Sequence, residues 1–93
     1  MKTLTFHYYA DPGHGWVKVS FRHLERIVGK HWRSLFTPYS FERGEYAYLE
    51  EDEDVSRFID CCRGAGIEPV FRDHTCASRQ SRIRNYSSLR TTL

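Results

Sequence analysis

The sequence predicts an α+β fold, a two-layer sandwich in which two helices cover one face of a mostly antiparallel sheet. Short runs that alternate apolar and polar residues are typical of half-buried strands, and two other segments repeat apolar residues at helical spacing. Brief turns containing glycine join neighbouring strands, which favours antiparallel pairing. With 93 residues, the chain is long enough for a single core. The predicted order is ββαββαβ in one domain over 1–74, followed by a basic, partly docked C-terminal tail over 75–93.

The first strand pair and the first helix are predicted in the N-terminal third. Alternation predicts a strand over 3–9 and a second one over 16–19, paired antiparallel with the first. Between them, the sequence DPGHGW at 11–16 holds two glycines, a proline and an aspartate, which predicts a tight, shaped turn. Ser20 is the expected N-cap of the helix, because its hydroxyl can accept a hydrogen bond from a free backbone N–H group. Apolar residues then recur at helical spacing as far as Gly29, which is expected to end the helix.

A second hairpin is predicted between residues 35 and 49. Apolar and aromatic residues alternate over 35–41 and again over 46–49, and Gly44 between them can supply the positive φ of a hairpin turn. Pro38 has no N–H group to donate. The first of these two strands is therefore expected at a sheet edge or at a bulge.

The second helix has the clearest periodicity in the chain. Apolar residues recur at i, i+3, i+4 and i+7 from Val55 to Cys62. The acidic run over 52–54 precedes them, and negative charge is favourable at the positive end of a helix dipole. The glycines of 64–66 are expected to end the helix, and the run over 69–73 predicts the last strand.

Charge is segregated along the chain, although the formal net charge is only +2. Residues 42–54 contain seven acidic residues and one basic residue, whereas residues 78–93 contain four arginines and no acidic residue. Such opposite fields bear on association with partners more than on the fold. No apolar run approaches the roughly 18 residues that span a bilayer, and the N-terminal sequence does not resemble a signal peptide. We therefore expect a cytoplasmic protein that does not bind membranes.

The cysteines and the motifs argue against common kinds of site. Three cysteines are an odd number and have no CxxC spacing, so neither a disulfide framework nor a classical zinc finger is expected. Buried cysteines of this kind commonly act as small hydrophobic residues. The sequence has no P-loop, nucleophile elbow or GxGxxG motif. No cofactor is predicted.

Three segments carry the candidate contact residues. The turn at 11–16 presents an imidazole and an indole. The acidic strip over 50–54 is either the solvated start of a helix or a mimic of nucleic acid that occupies a basic channel. Arg79, Arg82 and Arg84 of the tail either pair with that strip or contact phosphate groups, with bases stacking on the nearby tyrosine. The residues predicted to contact a partner are His14, Trp16, Glu50, Glu51, Asp52, Glu53, Asp54, Arg82, Arg84 and Tyr86.

A metal or acid–base site is a further hypothesis for the first turn. His7, Asp11 and His14 lie close together in sequence, and His74 can join them from the last predicted strand. Imidazole and carboxylate groups suit both a zinc ion and a general acid–base pair. However, the spacing matches no established ligand motif such as HExxH, and a histidine in a glycine turn more often caps backbone groups or contacts a partner. The prediction is thus that the chain has no catalytic residue and no metal ligand.

Three segments together resemble small accessory proteins encoded by phages and prophages. They are DPGHGW at 11–16, GEYAYLEED at 44–52 and IRNY at 83–86. The resemblance spans most of the chain. It implies a protein of a mobile element that acts in the host cell, and such proteins often block host defences, including CRISPR systems, by stoichiometric binding. It assigns no catalytic residue.

These observations lead to three functional hypotheses. The first is a non-enzymatic binding protein that inhibits a host defence macromolecule, such as a CRISPR-Cas component, with a host protein or ribonucleoprotein as its partner. The second is an accessory protein that binds nucleic acid through the basic first helix and the tail. The third is a small metal-dependent hydrolase centred on His7, Asp11 and His14.

Overall fold

The computed structural model describes residues 2–92 and has two helices and a six-stranded sheet. Neither helix of this part of the chain is long and apolar enough to cross a membrane. In chain order, the elements are β1 (Lys2–Ala10), β2 (Gly15–Ser20), α1 (Phe21–Ile27), a 3-10 turn (Trp32–Leu35), β3 (Phe41–Arg43), β4 (Tyr46–Glu50), α2 (Asp54–Gly64), β5 (Ile67–Thr75), a second 3-10 turn (Arg82–Asn85) and β6 (Ser87–Ser88).

The strands are ordered β5-β1-β2-β4-β3-β6 across the sheet. Strand β5 runs parallel to β1, and every other neighbouring pair is antiparallel. The α+β class and the mostly antiparallel sheet are therefore confirmed. The parallel pair extends from Lys2 beside Ile67 to Ala10 beside Thr75, so the final strand is longer than the predicted 69–73. Pro69 is tolerated because β5 is an edge strand.

The main core lies between the sheet and the two helices. Both helices contribute to it, α1 through Leu24 and α2 through Phe58 and Cys62, which are fully buried. This places both helices on the same face of the sheet, as the sequence predicts. Aliphatic and aromatic residues of alternating strand positions complete the core, namely Phe6, Val17, Val19, Ala47 and Leu49.

A second, smaller cluster lies on the opposite face of the sheet. It consists of Trp16, Tyr48 and Ile83, with Tyr9, Phe41 and Tyr86 packed around them. Ile83 belongs to the 3-10 turn of the tail, which crosses this face. The antiparallel register explains the clustering, since Tyr9 lies opposite Trp16 and Phe41 lies opposite Tyr48.

The C-terminal segment is fastened to the sheet at several places. The side chain of Asp11 accepts hydrogen bonds from Ser81 and Arg84. Further along, the backbone N–H of Leu89 donates to the carbonyl of Ser40 at 2.8 Å, and Glu42 accepts a bond from the backbone N–H of Arg90. Within the predicted tail, β6 pairs with β3 and becomes the second edge of the sheet.

Several local predictions are confirmed. The Ser20 hydroxyl accepts a hydrogen bond from the backbone N–H of His23 at 3.1 Å and so caps α1. The backbone turns into the left-handed region at Gly29, just after α1, and at Gly44, between β3 and β4. Glycine takes positive φ at no steric cost. The periodic run from Val55 forms α2 and buries the predicted face.

The predicted strand over 35–41 is wrong. The structure has a 3-10 turn that ends at Leu35, and strand β3 begins only at Phe41. The backbone N–H of Thr37 donates to Asp54 instead of to a neighbouring strand, and Pro38 has no N–H group. The segment therefore has too few free donors for a strand ladder. The alternation misleads here because Phe36, which would point to the opposite face from Leu35 and Phe41 in a strand, is the residue buried in the core.

Candidate functional site

Three segments that the sequence analysis selects separately meet at one open cleft. The turn after β1, the acidic segment after β4 and the 3-10 turn of the tail surround a cavity of about 660 Å³. We call it the aromatic–acidic cleft. Its lining residues are His14, Trp16, Tyr39, Phe41, Glu50, Asp52, Glu53 and Arg84.

Aromatic side chains form the wall of the cleft. The indole of Trp16 is 2% exposed and meets the ring of Phe41 edge-on, with the centroids 6.2 Å apart. The ring of His14 is tilted at 45° to the indole, with the centroids 6.1 Å apart. Tyr39 stands at the rim and is 72% exposed. Trp16 is therefore largely a wall residue, and Tyr39 is the aromatic group most open to a partner.

The turn that carries His14 is built around the carboxylate of Asp11. One carboxylate oxygen accepts hydrogen bonds from the backbone N–H groups of Gly13 and His14, each at 3.0 Å. The same side chain receives two bonds from Arg84, at 2.6 and 2.8 Å, and one from the backbone N–H of Ser81. The Arg84 guanidinium, helped by these backbone donors, holds the pKa of Asp11 far below its ordinary value in spite of burial.

Of the two alternatives for the tail arginines, pairing with the acidic strip is not found in the described residues. Arg84 pairs with Asp11 in the first turn and not with the acidic strip. Within residues 2–92, Arg79 and Arg82 form no ion pair at all. Carboxylates and arginines that are far apart in sequence can be matched only when the fold is known.

The acidic strip over 50–54 is not a uniform solvated surface, which corrects that interpretation. The carboxylate of Glu50 turns back and accepts bonds from the backbone N–H groups of Asp52 and Glu53, at 2.9 and 2.7 Å. Asp54 is fully buried and accepts bonds from Thr37, Ser40 and Arg57. Both acids thus hold the start of α2 in place.

The remaining three acids of the strip are exposed. Glu51 accepts a hydrogen bond from the hydroxyl of Tyr8 at 2.6 Å. Burial, reinforced by this bond, raises the pKa of Tyr8 well above its ordinary value. Asp52 and Glu53 form no ion pair within the described chain and line the cleft. They are the two carboxylates best placed for a partner.

Gly15 is required by the close approach of Tyr8 to β2. A Cβ atom at this position would overlap the phenol group of Tyr8 and lie 2.9 Å from Glu51 Oε2. Because the hydroxyl of Tyr8 is fixed by its bond to Glu51, the ring cannot simply move aside.

Gly15→Ala is accordingly expected to destabilise the protein by about 1–3 kcal/mol, the usual cost of overpacking. Urea unfolding monitored by circular dichroism measures it. Gly64→Ala is the matched control, because its Cβ atom meets nothing within 4 Å and its φ is not positive. Equal stability of Gly15→Ala and the wild type would contradict the steric explanation.

The electrostatics of the cleft favour a cationic partner group. The only basic side chain that lines it, apart from His14, is Arg84, whose charge is balanced by Asp11. Asp52 and Glu53 therefore leave the rim negative. Aromatic faces also attract cations. The cleft is thus suited to an arginine or lysine side chain projecting from another molecule.

Arg82 and Tyr86 lie outside the cleft. They line a second groove on the open face of the sheet, together with Tyr9 and Lys18. Of the ten predicted contact residues, the structure thus brings together His14, Trp16, Glu50, Asp52, Glu53 and Arg84, and separates Glu51, Asp54, Arg82 and Tyr86 from them.

The four residues of the metal hypothesis do not meet at one point, although two of the histidines are in contact. Nδ1 of His7 lies 2.8 Å from Nε2 of His74, while Asp11 is held by Arg84 and His14 faces Trp16. In the described part of the chain, no three His, Cys, Asp or Glu side chains are placed to hold a metal ion.

Sequence analysis missed Tyr39 and Phe41 as cleft residues. Both fall in the segment predicted as an edge or bulged strand, where they would be ordinary sheet residues. The register of β3 on β4 places Phe41 opposite Tyr48, and that register depends on where the strand begins. Comparison with protein-family models, with curated proteins and with solved structures finds no match to this chain.

Proposed function

We propose that this chain is a non-enzymatic binding protein that docks stoichiometrically on a host protein or ribonucleoprotein in the cytoplasm. The proposed outcome is inhibition of a host defence macromolecule such as a CRISPR-Cas component. The observation that supports it is the convergence of the three selected segments on the aromatic–acidic cleft. Proteins that bind nucleic acid are rich in exposed basic side chains, and the cleft offers a receptor for one of them.

The cleft supports docking better than mimicry of a nucleic acid by an acidic strip. The carboxylates of Glu50 and Asp54 accept hydrogen bonds within the protein near the start of α2. Fewer carboxylates therefore remain to imitate a row of phosphates. In contrast, Asp52 and Glu53 line the same cleft as the exposed ring of Tyr39. Tyrosine is one of the residues enriched at interface hot spots, and complementary charges guide a partner to its site.

Charge reversal at the rim tests this proposal. In the variant Asp52→Lys/Glu53→Lys, a basic partner group would be repelled instead of attracted. Tagged wild type and variant are expressed in a bacterial host with an active CRISPR-Cas system, and phage plating and captured partners are measured together. We expect the variant not to capture the partner. We also expect the phage titre on cells that express the variant to be at least about tenfold lower than on cells that express the wild type.

The matched control is Glu25→Lys/Asp60→Lys, which has the same change in charge at exposed positions on α1 and α2. This control is expected to behave like the wild type. Urea unfolding establishes that each variant is folded. If the rim variant captures the same partner as well as the wild type does, docking through the cleft is wrong.

A further inference from the structure

The open face of the sheet has a groove that the proposed docking function does not use. It has a volume of about 690 Å³ and runs between strands β1, β2 and β4 on one side and the tail on the other. We call it the basic groove. Its lining residues are Tyr9, Ala10, Lys18, Tyr48, His74, Cys76, Arg79, Gln80, Ser81, Arg82, Ile83, Arg84, Asn85 and Tyr86.

The charged side chains that line the basic groove are all basic. Lys18, Arg79, Arg82 and Arg84 line it, and none of its lining residues is acidic. Arg84 is balanced by Asp11. Arg79 and Arg82 are exposed and form no ion pair within residues 2–92. The ammonium group of Lys18 lies 4.2 Å from the ring centroid of Tyr46 and forms no ion pair in the described chain. Two guanidinium groups and one ammonium group therefore carry charges that no carboxylate balances.

The floor and walls of the basic groove are aromatic. Tyr48 is 7% exposed and forms part of the floor, with the ring of Tyr86 5.1 Å away. Tyr9 and Tyr86 are half-buried. Tyr9 is stacked on His74 with an interplanar angle of 18° and a centroid distance of 4.9 Å. The flat rings of Tyr9 and Tyr86 thus line the same groove as basic groups that form no ion pair in the described chain.

Arg43 extends the same face beyond the groove. Its guanidinium lies 5.0 Å from the ring centroid of Tyr86. Strand β5 adds Arg72, which the parallel register places beside His7, on the face that also carries His74. Basic side chains thus lie on both sides of the groove.

From this arrangement we propose that the basic groove binds single-stranded nucleic acid. Phosphates would be held by Lys18, Arg79 and Arg82, and unpaired bases would stack on the ring faces of Tyr9 and Tyr86 that His74 and Arg43 do not cover. Rings next to arginines on a concave surface are how proteins hold single strands without reading their sequence. A duplex keeps its bases stacked inside and cannot offer their faces to these rings.

Fluorescence polarisation with a labelled 20-nucleotide oligo-uridine and the same length of oligo-thymidine tests the proposal. We expect affinity to fall as salt is raised from 50 to 200 mM, because binding releases counterions from the phosphates. Arg79→Gln/Arg82→Gln should weaken binding and reduce the salt slope by about 1.4, since each phosphate contact on a single strand contributes about 0.7. A labelled duplex of the same length should bind more weakly than either single strand.

Arg22→Gln/Arg26→Gln is the matched control for charge. These arginines are exposed on α1, on the helix side of the sheet, so this variant should bind like the wild type. If it weakens binding as much as the groove variant does, the site is on the helix and the proposal is wrong. Equal affinity for the duplex would also contradict it, as would equally effective competition by polyglutamate, which would indicate an acidic protein as the ligand.

Stacking is tested at Tyr86. Tyr86→Ala should lower affinity by at least about fivefold, because one base stacked on an aromatic ring is worth on the order of 1 kcal/mol or more. Tyr86→Phe keeps the ring and should bind like the wild type. If Tyr86→Phe loses as much as Tyr86→Ala, the hydroxyl and not the ring is responsible, and the stacking model is wrong.

Cys76 gives a second readout on the folded wild type. This groove residue has its pKa lowered by hydrogen bonds to Ser78, whereas burial raises the pKa of Cys61 and Cys62. Iodoacetamide should therefore react first at Cys76, and saturating oligo-uridine should slow that reaction severalfold. Unchanged alkylation with the oligonucleotide bound would place the strand elsewhere.

Asp52→Lys/Glu53→Lys changes the aromatic–acidic cleft and should not weaken binding of the oligonucleotide. The proposed docking function and the proposed nucleic-acid site can therefore fail separately.

Discussion

Asp54→Ala is expected to lower the free energy of unfolding by about 3–5 kcal/mol, most of it from buried hydrogen-bond donors left without an acceptor and less from the ion pair with Arg57, which is 41% exposed. The Asp54 carboxylate is fully buried and accepts bonds from the backbone N–H of Thr37 at 3.0 Å, from the hydroxyls of Thr37 and Ser40, and from Arg57. Alanine leaves these donors without an acceptor and opens a cavity.

The loss should be large relative to the stability of the whole domain. A domain of this size is stable by about 5–15 kcal/mol, so the variant would be unfolded at a much lower urea concentration. The Ser40 hydroxyl also accepts a bond from the backbone N–H of Glu50. Removal of Asp54 therefore disturbs both the segment before β3 and the start of α2.

Urea unfolding of Asp54→Ala, Asp54→Asn and Glu53→Ala measures the effect. Asparagine keeps one acceptor oxygen but turns an N–H₂ group toward other donors, so an intermediate loss is expected. Glu53 is the adjacent exposed acid, and its replacement should change stability by less than about 0.5 kcal/mol. A loss below about 1 kcal/mol in Asp54→Ala would contradict the central role given to this carboxylate.

The same residue shows how far the sequence could predict the fold. Elements that depend on neighbours in the chain were predicted well, such as β1, β2, the Ser20 cap and the buried face of α2. The segment over 35–41 was not. Its backbone is fixed by Asp54, an acceptor 17 residues away from Thr37, and no local pattern indicates that bond.

The candidate site was predictable in its parts but not in its arrangement. The turn, the acidic segment and the tail were each selected for their residue types. That Arg84 binds Asp11, 73 residues earlier, follows only from the path of the tail across the sheet. Likewise, the stacking of Tyr9 on His74 depends on the parallel pairing of β1 with β5. The alternation of residues within either strand does not indicate which strand it pairs with.

The pair formed by Asp11 and Arg84 should make stability depend on pH. Arg84 and the backbone donors lower the pKa of Asp11 in the folded protein, whereas the unfolded chain has the ordinary value of about 3.9. A lowered pKa means that the ionised form contributes stability above pH 3.9. This contribution is lost as the pH falls through the folded pKa. Asp11→Asn removes the ionisation and with it this part of the acid sensitivity.

Asp11→Asn is therefore expected to be less stable than the wild type by about 2–3 kcal/mol at pH 6, and by clearly less at pH 2.5. The value at pH 6 is below the usual cost for a buried pair because the Arg84 side chain is 28% exposed and can turn to water. Arg84→Ala should cost less than Asp11→Asn, since Asp11 would keep its bonds from Ser81, Gly13 and His14. Urea unfolding at both pH values measures the difference, with the exposed Asp60→Asn as control. A difference between wild type and Asp11→Asn that is the same at both pH values would show that the charge of Asp11 does not hold the tail to the first turn.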